Sequence, residues 1–312
     1  MPLIEALAQT CCSGGVPLSS NLGMPPGDKG TWQFNLSYDQ NVLRTLKEGS
    51  NELNDNSRER ITRSILAEVG YGFTQRIALD VFFSYVYQER TITQFGKTDF
   101  ISTNGLGDMV LLLKYRLSNP LDSRQNLIIG IGPKIPTGRS DFTRSDGVIL
   151  NADLQPGSGA WDAVFYGFYN RSFGFRPSMG FSVSVVYSLK GENPNYFNGQ
   201  SYQFGDEILG QVSVVDKFSL GKQIFDLGLT LRYRHQGSDE FNSNILPNTG
   251  GRFLFLTPGA TYYFTPKLSL NFAFDLPVYT QVEGTQLAPT YRFNIGLFMV
   301  IRRKSKGDKI KL

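Results

Sequence analysis

The side chains best suited to covalent or metal chemistry are few. Cys11 and Cys12, the only cysteines in 312 residues, stand side by side in "ALAQTCCSGG". Adjacent thiols have four outlets. They can close a strained disulfide ring that is easily reduced, hold a soft metal such as Cu(I) that prefers thiolates, carry a lipid anchor, or pair with another chain. Thr10 stands where a lipobox prefers a small Gly, Ala or Ser, which weighs against the anchor. Copper at Cys11 and Cys12 is therefore the one cofactor alternative, and otherwise none is expected. The single histidine, His235, precedes Ser238 in "HQGSDEF". Nucleophilic catalysis needs the hydroxyl within hydrogen-bond reach of the imidazole, and a spacing of three puts Ser238 on the opposite face of an extended strand. Two thiols and one remote imidazole also fall short of a four-ligand zinc site. Glycine-rich phosphate loops and nucleic-acid patterns are absent, so neither catalysis nor a nucleic-acid partner is expected.

The larger reserve of polar chemistry is charged. Glu68, Asp80, Asp108, Lys114, Arg116, Lys134, Arg176, Glu207, Asp226, Arg232, Arg234, Asp275 and Arg292 occupy the polar phase of segments that are otherwise apolar at alternate positions. Both signs are present in near balance. Enclosed in a narrow, partly dry space, such groups hold their charge only when paired and hydrogen-bonded. They make either an internal salt-bridge network or a charged constriction that selects solutes. The stretch 137–160 carries Gly138, Gly147, Gly157 and Gly159 with Arg139, Asp141, Arg144 and Asp146. Those four charges either form a loop constriction or face solvent.

The elements that must position these residues are strands. From residue 31 onward, about ten residues at a time alternate apolar and polar side chains. "TWQFNLSYD" sets Trp32, Phe34, Leu36 and Tyr38 against Gln33, Asn35, Ser37 and Asp39. "IFDLGLTLRYRH" sets Phe225, Leu227, Leu229, Leu231 and Tyr233 against Asp226, Gly228, Thr230, Arg232 and Arg234. Twelve such segments start near residues 31, 58, 76, 106, 125, 161, 173, 202, 223, 252, 267 and 290. "DAVFYGFYNR" and "RFLFLTPGATYYF" are apolar on both faces, which leaves their orientation open, and Pro133, Pro136, Pro177, Pro258 and Pro277 predict bulges or strand ends.

Connection lengths decide the class. Long links around 45–57, 90–105, 137–160, 190–201, 236–251 and 279–289 alternate with short ones such as "FTQR", "RSFG", "SLGK" and "FTPK". A soluble β-sandwich explains the side-chain alternation but not alternating loop lengths, nor aromatic clusters near strand ends such as Tyr71/Phe73 and Tyr262/Tyr263. An outer-membrane barrel explains all three. The expected fold is all-β: a transmembrane up-and-down antiparallel β-barrel of about twelve strands, with both termini periplasmic.

The ends read differently from the middle. Ala6-Leu7-Ala8 followed by Gln9 resembles a signal cleavage site, so residues 1–8 are read as a signal-peptide remnant. Residues 9–30 form a periplasmic Cys-Cys/Gly/Pro segment, either a plug within the lumen or a linker to a partner. Residues 31–301 form the barrel. Residues 302–312 form a basic periplasmic tail, with Arg302, Arg303, Lys304, Lys306, Lys309 and Lys311 against Asp308 alone.

Two stretches carry a resemblance. "GLGDMVLLLKYRL" (Gly105 to Leu117) and "GPKIPTGRSD…LQPGSGAWD" (Gly132 to Asp162) resemble the outer-membrane barrels named after the meta-pathway of phenol degradation. That family shows a G-x-GD strand start, a K-Y-x-L strand end, a P-T-G strand end and a G-[ST]-G-x-x-D return. The resemblance implies a Gram-negative outer-membrane barrel that passes small molecules, sometimes aromatic ones. The Cys-Cys start and the basic tail depart from the pattern. The expected function is a channel, passive or gated, whose partners are outer-membrane lipid and a small solute. The alternatives are a non-conducting barrel that anchors a periplasmic or cell-surface protein complex, and copper handling.

Overall fold

The computed structural model describes residues 29–302, except Leu121, Ser123 and Ser145. The signal remnant, the Cys11–Cys12 segment up to residue 28 and the basic tail beyond Arg302 lie outside the described residues.

Twelve antiparallel strands close on themselves. They are β1 (Thr31–Glu48), β2 (Arg58–Gly72), β3 (Ile77–Gln94), β4 in two pieces (Lys97–Leu106 and Met109–Arg116), β5 (Gln125–Ile135) and β6 (Asp162–Ser172), followed by β7 (Met179–Leu189), β8 (Glu207–Leu220), β9 (Gln223–Gln236), β10 (Gly251–Thr265), β11 (Leu268–Val282) and β12 (Thr285–Arg302). Each strand pairs with the next, and β12 returns to β1 from Thr31↔Arg302 to Glu48↔Thr285. Closure leaves no open sheet edge around the wall, the condition for strands to sit in hydrocarbon. The five short turns, the start of β1 and the end of β12 share one end of the barrel; the long connections share the other.

Two long links of the sequence reading are corrected. Residues 90–105 and 279–289 are not loops: β3 and β11 run on and turn back within two residues, at Phe95-Gly96 and Glu283-Gly284. Gly96 and Gly284 take φ of 74° and 73°, the left-handed turn conformation open to glycine. These hairpins project past the lipid belt, where neither face meets hydrocarbon, so the apolar alternation fades while the strand continues. The remaining loop-end connections carry a separate four-stranded sheet of short strands (Glu192–Phe197, Gln200–Gln203, Glu240–Phe241 and Asn244–Ile245).

Burial is inverted relative to a soluble protein. Leu36, Ile65, Ile131 and Val212 are at least half exposed, while Asp80, Asp108 and Lys114 are almost fully buried (2%, 0% and 0%). Apolar side chains point out toward lipid and charges point in. The inner wall is not wholly polar, however. Val110, Leu112, Ile128, Val164, Tyr166 and Phe168 on β4–β6 belong to one buried inward-facing cluster. This settles the segment with two apolar faces: Val164, Tyr166 and Phe168 face inward, and Phe165 outward. On β10, Phe253 and Phe255 face inward. Proline interrupts the ladders as expected, since the β4–β5 register skips Pro133 and the β10–β11 register skips Pro258.

Candidate functional site: the lumen and its cap

The inward charges are organised as a belt near the loop end. Six neighbouring elements contribute alternating signs: Asp108 beside β4, Lys134 on β5, Asp162 on β6, Lys190 after β7, Glu207 on β8 and Arg234 on β9. Lys134 lies 2.9 Å from Asp108 and 2.8 Å from Asp162. Lys190 lies 3.4 Å from Asp162 and 4.0 Å from Glu207, which Arg234 meets at 2.7 Å. Two further pairs carry charge around the barrel: Arg232–Asp275 at 2.5 Å and Arg292–Asp39 at 2.8 Å. Thr257 donates a second bond to Asp275 at 2.6 Å. Each charge is flanked by the opposite sign, which offsets the desolvation cost of placing it there.

The belt also anchors the connections above it. Asp108 accepts from the backbone N–H groups of Gly138 and Ser158 and from the Ser158 hydroxyl at 2.8–3.1 Å. Asp162 accepts from Gly191 N–H at 3.1 Å. Gly138 and Gly157 cross so closely that a Cβ on Gly157 would lie 2.5 Å from the Gly138 carbonyl carbon. This explains the glycines of the PTG and GSG stretches by packing.

The stretch after β5 folds inward and caps one side of the mouth. Asp153, in a short helical turn (Ala152–Leu154), meets Arg60 of β2 at 2.6 Å, and both are buried. Arg60 also donates to Gln88 of β3 and to the Asp153 carbonyl. Gln88 donates to the Gln155 carbonyl at 3.2 Å, and Thr103 of β4 to the Leu154 carbonyl at 2.5 Å. The other loops close over this segment: Ala152 packs with Tyr196, Tyr202 and Phe204. Behind them Asp239 accepts from the Tyr202 hydroxyl at 2.6 Å and Gly205 N–H at 2.9 Å. Burial pushes the Asp239 carboxyl up to about 6, and burial followed by the neighbouring Asp239 raises the Tyr202 hydroxyl well above its ordinary value.

The four loop charges lie elsewhere. Arg139 and Asp141 pair with each other at 2.5 Å on the exposed surface. Arg144 pairs with Asp99 at 2.7 Å, and Asp146 accepts from Val148 N–H. The part of the loop that enters the mouth is Leu150–Ala160, mostly apolar or uncharged, with Asp153 as its single charge. Arg176 is likewise corrected: it meets Asp216 at 2.6 Å and lies over Phe218 on the outward rim, not in the lumen.

The remaining charges face inward. Lys114 meets Asp80 at 2.5 Å and lies over the Tyr166 ring at 4.9 Å. Glu68 is buried nearby, opposite Asn35 in the register. Arg116 is buried toward the turn end. Asp226 accepts from Tyr263 at 2.7 Å, with Lys217 at 3.9 Å. Asp162 and Lys190 of the belt escape the sequence reading because they sit at strand ends beside loops. Their signal was the sign alternation from strand to strand.

Below the belt the lumen divides. The β2–β6 side is filled by the apolar cluster around Lys114–Asp80. The β7–β12 side holds a cavity of about 650 Å³ running from Pro177 and Ser178 at the turn end to Arg232 and Thr257. Its inward lining is small and polar, with Ser182, Ser184, Ser213, Thr230 and Asn294, and with Phe168 and Val186 on one flank. His235 lies at the end of β9 in register with outward Arg252, and Ser238 donates to the Thr249 carbonyl at 3.3 Å. Among the described residues, His235 and Ser238 are therefore not joined as a Ser–His pair.

A family model described as "putative MetA-pathway of phenol degradation" matches residues 68–295. An outer-membrane channel from Pseudomonas putida F1 is similar in structure, with a TM-score of 0.67 at 15% identity over 89% of this chain and 100% of that one. At that identity the likeness establishes the fold. The β domain of the Bordetella autotransporter BrkA matches with a TM-score of 0.48 at 12% identity over 88% of this chain and 100% of that one. The CymD monoaromatic hydrocarbon channel matches with a TM-score of 0.40 at 9% identity, over 89% and 90%. No curated protein matches the chain by sequence.

Proposed function

The chain belongs to the family described as the putative MetA-pathway of phenol degradation, and from that premise we propose that it is an outer-membrane channel for small molecules, gated by its loop-end cap. The observation that carries this reading is the cavity of about 650 Å³ between a lipid-facing apolar wall and a buried charged belt. A barrel serving only as a scaffold has no need of such space. The inward segment Leu150–Ala160 leaves room for small solutes and little else, and it is held by bonds that can break without unfolding the wall. The turns and termini face the periplasm in this reading. The Phe168 and Val186 flank suits solutes with an apolar, including aromatic, body, and no covalent step is assigned.

Single-channel recording in planar bilayers tests it. The intact chain should show small, flickering conductance, and Arg60→Ala should enlarge it severalfold. Silence from both would sink the channel and favour a barrel that anchors other proteins. Cys11 and Cys12 add a separate proposal, that the pair holds copper. Metal analysis of the purified chain beside a Cys11→Ser/Cys12→Ser variant decides it, with equal copper in both as the refuting result.

A further inference from the structure

The two ends of the barrel differ in how their cations are distributed. At the loop end Arg44, Arg58, Arg63, Arg139 and Arg144 each have a carboxylate within 3.3 Å, while Lys47, Lys97 and Arg252, scattered over three strands, pair with no carboxylate among the described residues. At the turn end, every one of the five turns carries a cation: Arg76, Arg124, Arg176, Lys222 and Lys267. Arg76, Arg124, Lys222 and Lys267, with Lys29 before β1 and Arg171 at the end of β6, are exposed. Among the described residues, none of these six has an ion-pair partner. Among the described residues, the acids at this end are engaged: Asp216 by Arg176, Asp226 by Tyr263, and Asp122 by the Arg124 N–H.

Just inside this ring lies a collar of aromatic pairs. Trp32–Tyr71, Tyr71–Phe73, Phe173–Phe175 and Tyr262–Phe264 have ring centroids 4.6 to 5.2 Å apart, on turns and strand ends around the barrel. Phe175 and Phe73 are 81% and 50% exposed. Amphipathic rings of this kind settle at head-group depth, which places the cations level with lipid phosphates.

We propose that this basic ring is a binding surface for anionic phospholipid head groups of the leaflet at the turn end. The distribution argues for a lipid surface over a protein. A protein partner would be met by a patch on one or two turns, whereas a leaflet touches all five turns at once. Unpaired cations gain most from phosphates held at a fixed depth, and juxtamembrane basic residues are drawn to anionic membranes in this way. The expected consequence is a shell enriched in anionic lipid at one end only.

The chain carries its own reporters. Of its two tryptophans, Trp32 lies in the turn-end collar and Trp161 at the loop-end start of β6. The full chain with Trp161→Phe, and separately with Trp32→Phe, is reconstituted in vesicles of phosphatidylcholine containing either brominated phosphatidylglycerol or brominated phosphatidylcholine. Quenching of Trp32 should favour the anionic lipid by about fivefold at low salt, and high salt should abolish the preference. Trp161 should show a preference near unity. Arg76→Gln/Arg124→Gln/Lys222→Gln/Lys267→Gln in the Trp161→Phe background should lower the Trp32 preference by about half or more, toward the level of Trp161. Equal preference at both tryptophans, or a Trp32 preference that survives high salt or is unchanged by the fourfold neutralisation, would overturn the proposal. The salt titration decides the matter even if the fourfold variant fails to insert. Channel activity does not enter the readout, so failure here is separate from failure of the channel reading.

Discussion

The two sides of the lumen solve the same problem in opposite ways. On the β2–β6 side, charge is buried beside an apolar cluster: Lys114 and Asp80 form an ion pair on strands that also supply Val110, Leu112 and Val164 to the inner wall. On the β7–β12 side, Ser182, Ser184, Ser213 and Thr230 surround open space. A charge in the filled side depends on neighbours fixed in place around it, as Lys114 does on Asp80 and the Tyr166 ring. A hydroxyl on the open side can turn to a partner or to whatever enters the cavity. The first side is therefore the brace and the second the passage. Substitutions should distinguish them sharply.

The largest effect is expected where the brace loses a charge. Lys134→Met leaves Asp108 and Asp162 facing each other's neighbourhood without their shared cation, and a broken buried pair costs about 3–5 kcal/mol. The barrel should unfold at markedly lower urea, followed by the mobility shift of folded barrel on unheated gels, and the loops anchored by Asp108 should become accessible to protease. If Lys134→Met were as stable as the parent, the belt would be ornament and the contrast between the two sides would fail.

Next in size is the tie between cap and wall. Arg60→Ala removes the bonds to Asp153 and Gln88, and a charged hydrogen bond is worth about 1.5–3 kcal/mol. The wall strands keep their ladders, so the loss should appear mainly as protease sensitivity between Leu150 and Ala160 and as larger conductance. A large drop in global stability with unchanged conductance would make the segment part of the brace.

The passage side should tolerate change that the brace does not. Ser213→Phe gives up one bond to Thr230 (2.7 Å) and fills part of the cavity, a stability change of about 1 kcal/mol. Conductance should fall severalfold. A bulky residue at Ser84, on the filled side and 3% exposed, should instead prevent folding. Equal outcomes at the two positions would erase the distinction.

How much of this was legible in the sequence follows from where lipid makes demands. Within the hydrocarbon the outward face must be apolar, so Leu227, Leu229 and Leu231 alternate and the twelve strands can be counted. Beyond it the demand lapses, so "ERTITQFGKTDFISTNG" reads as a loop although it is a continuous hairpin through Gly96. Polar positions on the inner face marked Asp80, Asp108, Lys114 and Lys134, because charge there stands out against alternation. The apolar inner wall at Val110, Leu112 and Val164 could not be told from lipid-facing residues by pattern alone, since both are apolar and differ only in parity. The cap was misplaced for a related reason: charges at Arg139 and Asp141 attract attention, whereas the segment that enters the mouth is held by Gln155, Leu154 and a single Asp153. Its anchoring partners Arg60 and Gln88 are far away in sequence.

The smallest expected effect tests the cap by pH. Asp239 lies in the loop end, outside the spanning strands, and burial raises its carboxyl to about 6 against about 3.9 in an unfolded chain. Between those values the folded cap binds more protons than the unfolded one, so its stability grows as pH falls through about 6 and levels off below about 4. Above about 6 the buried carboxylate is charged and held by Tyr202 and Gly205 without a cationic partner among the described residues. The gain on acidification is of order 1–3 kcal/mol, centred on the cap because Asp239 is held by the loop groups Tyr202 and Gly205 and reaches the wall only at Gln236, the last residue of β9. Hydrogen exchange at 200–206 and 237–249 should therefore, after correction for intrinsic rates, be slower at pH 5 than at pH 7.5, while exchange in β4–β6 stays level. Asp239→Asn should flatten the difference. Acid-tightened exchange throughout the barrel would assign the response to the brace instead, and a cap that loosens in acid would refute a role for this carboxyl.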